Sequence, residues 1–329
     1  MMATPPLVSI ITPSYNQAAF LEQTMRSVLL QDYPAVEYII VDGGSTDGSM
    51  EIIKKYAHHL KWWVSEEDRG QAEAINKGFD HVDGEVIAWI NSDDLYCAGA
   101  IASAVAALQQ NPDCGLVFSD VLSIDAETKV FNTMKFGDWG LPELMRFNII
   151  SQPGVFIRRS ALERAGGLDL QYRFLLDHHL WLRIANYFPV KHIGSFWAAA
   201  RFHPDAKNIA HAAGFGEDAF RILRWLEKNP EFAVMYKKDA RRIRAGAYRM
   251  DARYQLDGGN PNASFRSYWR CFWNHPPTAL HEIQRMGYAL VSQFVPITRL
   301  KASFMKRRSS KLEPTDWQQC FSYLENVIE

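Results

Sequence analysis

Short apolar runs alternate with amphipathic stretches along the first part of the chain, and each run stops at a polar loop. Leu7–Ile11 is followed by Thr-Pro-Ser-Tyr-Asn, Glu37–Val41 by Asp-Gly-Gly-Ser-Thr-Asp-Gly-Ser, Trp62–Val64 by Ser-Glu-Glu-Asp-Arg-Gly-Gln, and Val86–Ile90 by Asn-Ser-Asp-Asp. Runs this short and this apolar read as strands buried on both faces. Between them Leu21, Met25, Val28 and Leu29, then Ile52, Ile53 and Tyr56, then Ala72, Ile75 and Phe79 recur at helical spacing. The alternation predicts an α/β fold with a mostly parallel, right-handedly connected central sheet and flanking helices. All four polar loops then fall at the strands' carboxyl ends, the edge where open α/β sheets bind ligands.

Further on, the pattern predicts a helix over Gly99–Gln110 and strands at Gly115–Ser119 and Gly154–Ile157. A helix carrying Leu176, Leu180 and Ile184 on one face follows, then a strand at Ser195–Ala200. From about Glu217 the apolar positions Ile222, Leu223 and Leu226, then Ile243, Ala247, Met250 and Tyr254, describe a helical region, broken at Asp257–Asn262. This divides the chain into an α/β domain over 1–216 and a helical part over 217–329.

Charge follows the same division. Met1–Gly216 holds 17 Lys+Arg against 25 Asp+Glu, and Glu217–Glu329 holds 19 against 12, behind a net charge of −1. Leu280–Lys311 mixes apolar residues with Arg299, Lys301, Lys306, Arg307, Arg308 and Lys311. Such a segment can lie on an anionic bilayer or form a helix packed on the α/β domain with a solvated basic end. No nucleic-acid module accompanies the basic residues. The four cysteines are widely spaced, without metal-type pairing or a disulfide framework. No basic region with an apolar signal core opens the chain, and no apolar run is long enough to span a bilayer. These features predict a cytoplasmic protein, peripheral at the inner face of the plasma membrane if the basic segment binds lipid.

The candidate chemistry centres on Asn91-Ser-Asp-Asp94. Adjacent carboxylates repel and are costly to desolvate, which a divalent cation would relieve, so Asp93 reads as a metal ligand. The alternative is that Asp93 and Asp94 open a turn and cap the next helix. Asp42-Gly-Gly-Ser can likewise be only a turn, and Asp47 only a helix cap. The glycine-rich loop fits neither the Walker spacing nor the dinucleotide fingerprint. Asp177 opens the helix of Leu176, Leu180 and Ile184, where the dipole favours an anion.

Val8–Asn16, Ile39–Gly48, Ser65–Gly70, Ala74–Gly78 and Trp89–Asp94, in this order, resemble the successive motifs of family 2 glycosyltransferases over about Pro6–His203. The resemblance implies the GT-A fold, a nucleotide-diphosphate sugar donor with a UDP-sugar favoured, a divalent metal (Mn or Mg) and inversion at the anomeric carbon. It places Pro13, Tyr15 and Asn16 at the nucleoside, Asp42 and Asp68 at base or ribose, with Gly70, Asn91 and Ser92 in the same donor site. Asp93 matches the metal-binding acid of the DxD motif, and His203 in Arg201-Phe-His203 is implied at the metal or the phosphates. Gln152 is implied at the acceptor, a sugar or lipid-linked glycan, although Gln152-Pro153 also reads as the ordinary start of a strand.

Leu175–Ala185 resembles the family's Glu-Asp-x-Asp-Leu-Trp-Leu-Arg motif, whose first Asp deprotonates the acceptor, and this makes Asp177 the general base. Three departures stand out: Asn91 for the first acid of DxD, Leu176 for the Glu, and His179 for the second Asp. The expected activity is metal-dependent, inverting sugar transfer in surface polysaccharide or glycoconjugate synthesis. Asn91 and His179 favour the rival, a catalytically silent nucleotide-sugar-binding module. A sugar nucleotidyltransferase is disfavoured, because its Lys/Arg-bearing triphosphate loop is missing.

Overall fold

The computed structural model describes residues 4–203, 212–294, 317–326 and 328. The basic stretch expected over Leu280–Lys311 lies outside the described residues from 295 onward.

The alternation of the sequence becomes β1 (Val8–Ser14), α1 (Ala18–Leu29), β2 (Val36–Asp42), α2 (Ser49–Lys55), β3 (Trp62–Ser65), α3 (Gln71–Phe79) and β4 (Val86–Trp89). These strands lie in the order β3-β2-β1-β4, all parallel. Their continuous apolar character has a simple cause. Ile11, Ile39, Val41, Ile87 and Trp89 enter one core cluster, while Val8, Ile10, Ile40, Val86, Ala88 and Ile90 enter another. A strand buried on both faces has no room for an alternating polar residue.

Beyond β4 the sheet becomes mixed. β5 (Leu95–Tyr96), α4 (Ala100–Gln110), β6 (Leu116–Ile124), β7 (Val130–Met134), α5 (Leu141–Met145), β8 (Val155–Arg158), α6 (Arg159–Ala165), α7 (Leu176–Tyr187) and β9 (Val190–Arg201) complete the domain. β8 pairs antiparallel with β4 and β6, β9 runs parallel to β6, and β5 pairs antiparallel with β9. The pairing of β5 matters most for the site. Leu95 and Tyr96 sit opposite Ala199 and Ala198, which carries the chain straight from the acidic turn onto the end of β9.

The helical part does not stand apart. α8 (Ala212–Lys228) runs through positions 216 and 217, and with α9 (Pro230–Asp257) it contributes Ile222, Leu226, Phe232, Tyr236, Ile243 and Met250 to the cluster that holds Trp89 and Trp181. α10 (Pro261–Asn274), α11 (Pro276–Leu280) and α12 (Ile283–Val291) pack on α9 through smaller clusters around Tyr268, Ala289 and Cys271.

Candidate functional site

The loops after β1 and β2 are tied into one unit by hydrogen bonds between them. Asn16, in the left-handed region at φ 52°, accepts from the Thr46 amide at 2.9 Å, and its own amide donates to Ser45 Oγ at 2.8 Å. Asp47 serves two helix starts: one carboxylate oxygen accepts from the Ser49 amide at 3.1 Å and the Ser49 hydroxyl at 2.6 Å, at the head of α2, and the other from the Ala18 amide at 2.8 Å, at the start of α1, whose N-cap Gln17 offers no side-chain bond. Pro13 is buried in β1 opposite Val41, and Tyr15, just beyond the strand, is 62% exposed.

Asp42 is fully buried and already supplied with donors. Its carboxylate accepts from the amides of Gly44 and Ser45 and from the hydroxyls of Ser45 and Ser65, at 2.5 to 3.1 Å. It therefore shapes the loop after β2 and ties it to the end of β3. Asp68 is half-buried and differently placed. One oxygen accepts from the Gly70 amide at 2.7 Å, and the other points at Gly43, where a Cβ would lie only 2.8 Å away and 3.4 Å from the Tyr15 ring. Gly43 thus keeps open a notch between an exposed aromatic ring and a carboxylate. Gly70 itself is in the left-handed region at φ 119° and starts α3.

At the end of β4 the two readings of the acid pair separate. Neither acid caps α4, which begins after left-handed Gly99 without a side-chain cap. Asp94 does close a turn, its amide donating to the Asn91 carbonyl at 3.1 Å. Its carboxylate accepts from the Arg201 amide at 2.9 Å and from the Asn91 side chain at 3.1 Å. Burial and the adjacent Asp93 charge push the Asp94 carboxyl well above its usual range. Asn91, where the DxD pattern has an acid, accepts from the Gln71 amide at 2.5 Å and so fastens the turn to α3. Ser92 is buried between them.

The β5 to β9 pairing then brings His203 to Asp93, with Nε2 3.1 Å from Oδ2. Among the described residues no three His, Cys, Asp or Glu side chains gather as a metal site. The Asp93 carboxylate is the kind of donor a magnesium- or manganese-like ion takes, such an ion drawing its other ligands largely from substrate phosphates and water, and the His203 imidazole stands beside it as a second donor.

Arg201 does not serve phosphate. Its guanidinium is buried against the Phe20 ring and donates to the carbonyls of Asp93, Asp125 and Ala126 and to Thr128 Oγ1 and Gln23 Oε1. It holds the acidic turn from behind.

Asp177 lies in the first turn of α7, half-buried, with Oδ1 accepting the His178 amide at 2.7 Å. One turn on, Trp181 stacks on Trp89 with centroids 5.2 Å apart, and Gln152 donates to the Trp89 carbonyl at 2.6 Å. The helix of Asp177 and the segment of Gln152 are thereby seated on the strand that ends in the acidic turn. Gln152 Oε1 is buried with no partner among the described residues. His178 and His179 are buried in aromatic surroundings, His178 against Phe147 and His179 between Tyr172 and Trp225. Burial holds His178 down at about 4 and His179 at about 2. They are neutral packing groups and not ligands. Trp181, Gly43 and Gln71 were given no role of their own from sequence, although the Leu-Trp-Leu run and the polar loops after β2 and β3 contain them, and Arg201 entered only as part of the Arg201-Phe-His203 segment.

Against known proteins, the family described as Glycosyl transferase family 2 matches residues 9–163. A PGL/p-HBAD biosynthesis glycosyltransferase of Mycobacterium bovis is 31% identical over 176 residues, covering 52% of this chain and 67% of that protein. Among solved structures, S. aureus TarS superposes with a TM-score of 0.59 at 16% identity, over 87% of this chain and 55% of that one. A form of it, TarS 1–349, has been solved in complex with UDP-GlcNAc. The mannosyltransferase PcManGT from Pyrobaculum calidifontis, in complex with GDP-Man and Mn2+, gives 0.54 at 23% identity, over 98% of this chain and 86% of that one. The structural likenesses establish a GT-A-like fold.

Proposed function

The chain belongs to glycosyl transferase family 2, and from that premise we propose that it is a metal-dependent, inverting enzyme moving a sugar from a nucleotide diphosphate to a hydroxyl of a glycan or lipid-linked acceptor. The notch formed by Tyr15, Gly43 and Asp68 receives the nucleoside, the ring stacking on the base and the carboxylate accepting from its N–H or hydroxyl groups. Asp93 and His203 would hold a divalent cation, which when bound supplies Lewis-acid stabilisation of the departing diphosphate. Asp177 accepts the acceptor's proton as the hydroxyl attacks the anomeric carbon from the side away from the nucleotide. Gln152, with an unused buried oxygen, orients that acceptor.

The observation that carries this reading is the stack of Trp181 on Trp89. It seats the helix whose first turn carries Asp177 on the strand that leads to Asp93, which supports a proton acceptor and a cation site served by adjoining elements. The structures holding UDP-GlcNAc and GDP-Man with Mn2+ support a nucleotide-sugar donor and a cation. A UDP-sugar is the favoured donor. The mycobacterial relative, named for PGL/p-HBAD biosynthesis, supports a role in building surface glycoconjugates.

Asp177→Asn tests the proposal. The amide still accepts from the His178 N–H but takes no proton near neutral pH. Donor binding should persist while transfer falls by about two to four orders of magnitude, the usual worth of a general base. Wild-type transfer in the variant would remove Asp177 from the mechanism. An absence of donor turnover in the wild type, across UDP-, GDP- and dTDP-sugars with Mn2+ or Mg2+, would favour the silent binding module.

A further inference from the structure

Seven of the ten exposed large apolar side chains among the described residues fall in one short segment of the helical part: Trp269, Trp273, Leu280, Ile283, Leu290, Val291 and Phe294. Trp269 is 50% and Trp273 64% exposed, with ring centroids 5.8 Å apart. They lie one turn apart on α10, and Arg266 and Arg270 share their face at the intervening helical spacing. Between Ala263, Arg266, Ser267 and Arg270 opens a surface cavity of about 200 Å³. Neither arginine is paired with an acid among the described residues: Arg266 donates to its own helix at the Asn262 carbonyl, and Arg270 lies over the Tyr248 ring. On α12 and just beyond it, exposed Ile283, Leu290 and Phe294 continue one stripe at intervals of seven and four. The sequence over 295–311 then adds six Lys and Arg without a single acid.

Exposed tryptophans beside unpaired arginines form a combination suited to one environment. Indole rings favour the boundary between headgroups and acyl chains, and guanidinium groups fork onto phosphate oxygens. We propose that the α10 face, with the α12 stripe beside it, docks this chain onto an anionic bilayer surface. Trp269 and Trp273 enter the headgroup boundary, and Arg266 and Arg270 grip lipid phosphate at the cavity between them. A second copy is a poorer occupant, because like-charged arginine pairs would be brought together. This contact is independent of the sugar-transfer reading, since none of these residues belongs to the donor or acceptor site.

Flotation of the full chain with vesicles of phosphatidylcholine, with or without phosphatidylglycerol, tests the assignment. Binding should require phosphatidylglycerol and weaken with salt. Trp269→Ser/Trp273→Ser should weaken it about tenfold or more. Arg266→Gln/Arg270→Gln should cost roughly twenty-fold, about fivefold for each basic residue withdrawn from the surface. Both variants should keep the wild-type melting temperature and nucleotide affinity. Equal binding to both vesicles, no binding to either, or undiminished binding by the tryptophan variant would overturn the proposal. So would a wild-type dimer in solution that the tryptophan variant dissolves, or strong hydrogen-exchange protection of α10 without vesicles, which would give the face to the chain's own 295–316.

Discussion

Gly43→Ala adds one methyl group and reads the nucleoside notch directly. Gly43 is not in the left-handed region, so alanine fits the backbone. The new Cβ would stand 2.8 Å from Asp68 Oδ2, nearer than such atoms approach, while its 3.4 Å to the Tyr15 ring is tolerable. Asp68 is not free to retreat, because its other oxygen holds the Gly70 amide at 2.7 Å. Either the carboxylate shifts by several tenths of an ångström or that bond breaks, at about 1 kcal/mol for an ordinary hydrogen bond. The strain falls on a half-buried loop and spares the core, so the melting temperature should change little. A nucleotide that hydrogen-bonds the Asp68 carboxylate loses an interaction of about 1.5 to 3 kcal/mol, or roughly ten- to 150-fold in affinity. Calorimetry with UDP and GDP in the presence of Mn2+ measures this. Asp68→Ala completes a cycle, since without the carboxylate the added methyl meets no obstacle and Gly43→Ala should become nearly neutral. Unchanged nucleotide affinity in a folded Gly43→Ala protein, or additive losses in the double variant, would refute the placement of the nucleoside between Tyr15 and Asp68.

Three further expectations follow from the same geometry. Asp93→Ala should abolish the Mn2+ dependence of nucleotide binding and nearly all transfer while melting normally; titration with and without the cation decides, and a persisting dependence would move the cation elsewhere. Arg201→Met leaves the carbonyls of Asp93, Asp125 and Ala126 without their donor and should destabilise the fold by about 3 kcal/mol or more, seen as a lower denaturant midpoint at an unchanged slope; an unchanged midpoint would mean that these carbonyls find other donors. His178 and His179 are held below the ordinary 6.5 by burial, so the unfolded chain binds their protons first. Their stabilisation is complete above pH 6.5 and is lost as the pH falls through about 4 and then about 2. Melting temperatures from pH 7 to 4 should fall less steeply in His178→Phe than in the wild type, and parallel curves would contradict neutral burial.

How far the sequence can be read follows from where each determinant lies. Strands β1 to β4 were legible because burial on both faces forces a continuous apolar run, and their loops because polar residues must follow where the chain leaves the sheet. Asp177 at the head of α7 was legible for the same local reason, from Leu176, Leu180 and Ile184 on one face. The final strand was foreseen only as Ser195–Ala200. It runs from Val190 to Arg201 because its first half, with Lys191 and His192, is held by pairing to β6 and not by its own apolarity. Nothing local announces a partner strand so distant in sequence, nor the antiparallel β8 between β4 and β6.

The same distinction explains what happened to the polar residues. A carboxylate or guanidinium advertises its charge in the sequence but not the donors or acceptors waiting for it. Asp42 and Arg201 both carry the chemistry expected of a ligand contact, yet each is saturated by neighbours that the fold supplies, four hydrogen bonds within its own loop and the adjoining strand end for Asp42 and five from two loops and α1 for Arg201. A group so occupied would have to surrender those bonds to meet a substrate, at about 1 to 3 kcal/mol for each buried partner left unpaired. Asp68, Asp93 and Gln152 are under less such constraint: Asp68 presents an oxygen to the notch, and among the described residues the Asp93 carboxylate meets only His203 and Gln152 has an oxygen to spare. Hydrogen-bond capacity therefore separates the two groups: Asp42, Asp94 and Arg201 fix the loops, and Asp68, Asp93 and Gln152 are the side chains proposed to meet donor, cation and acceptor.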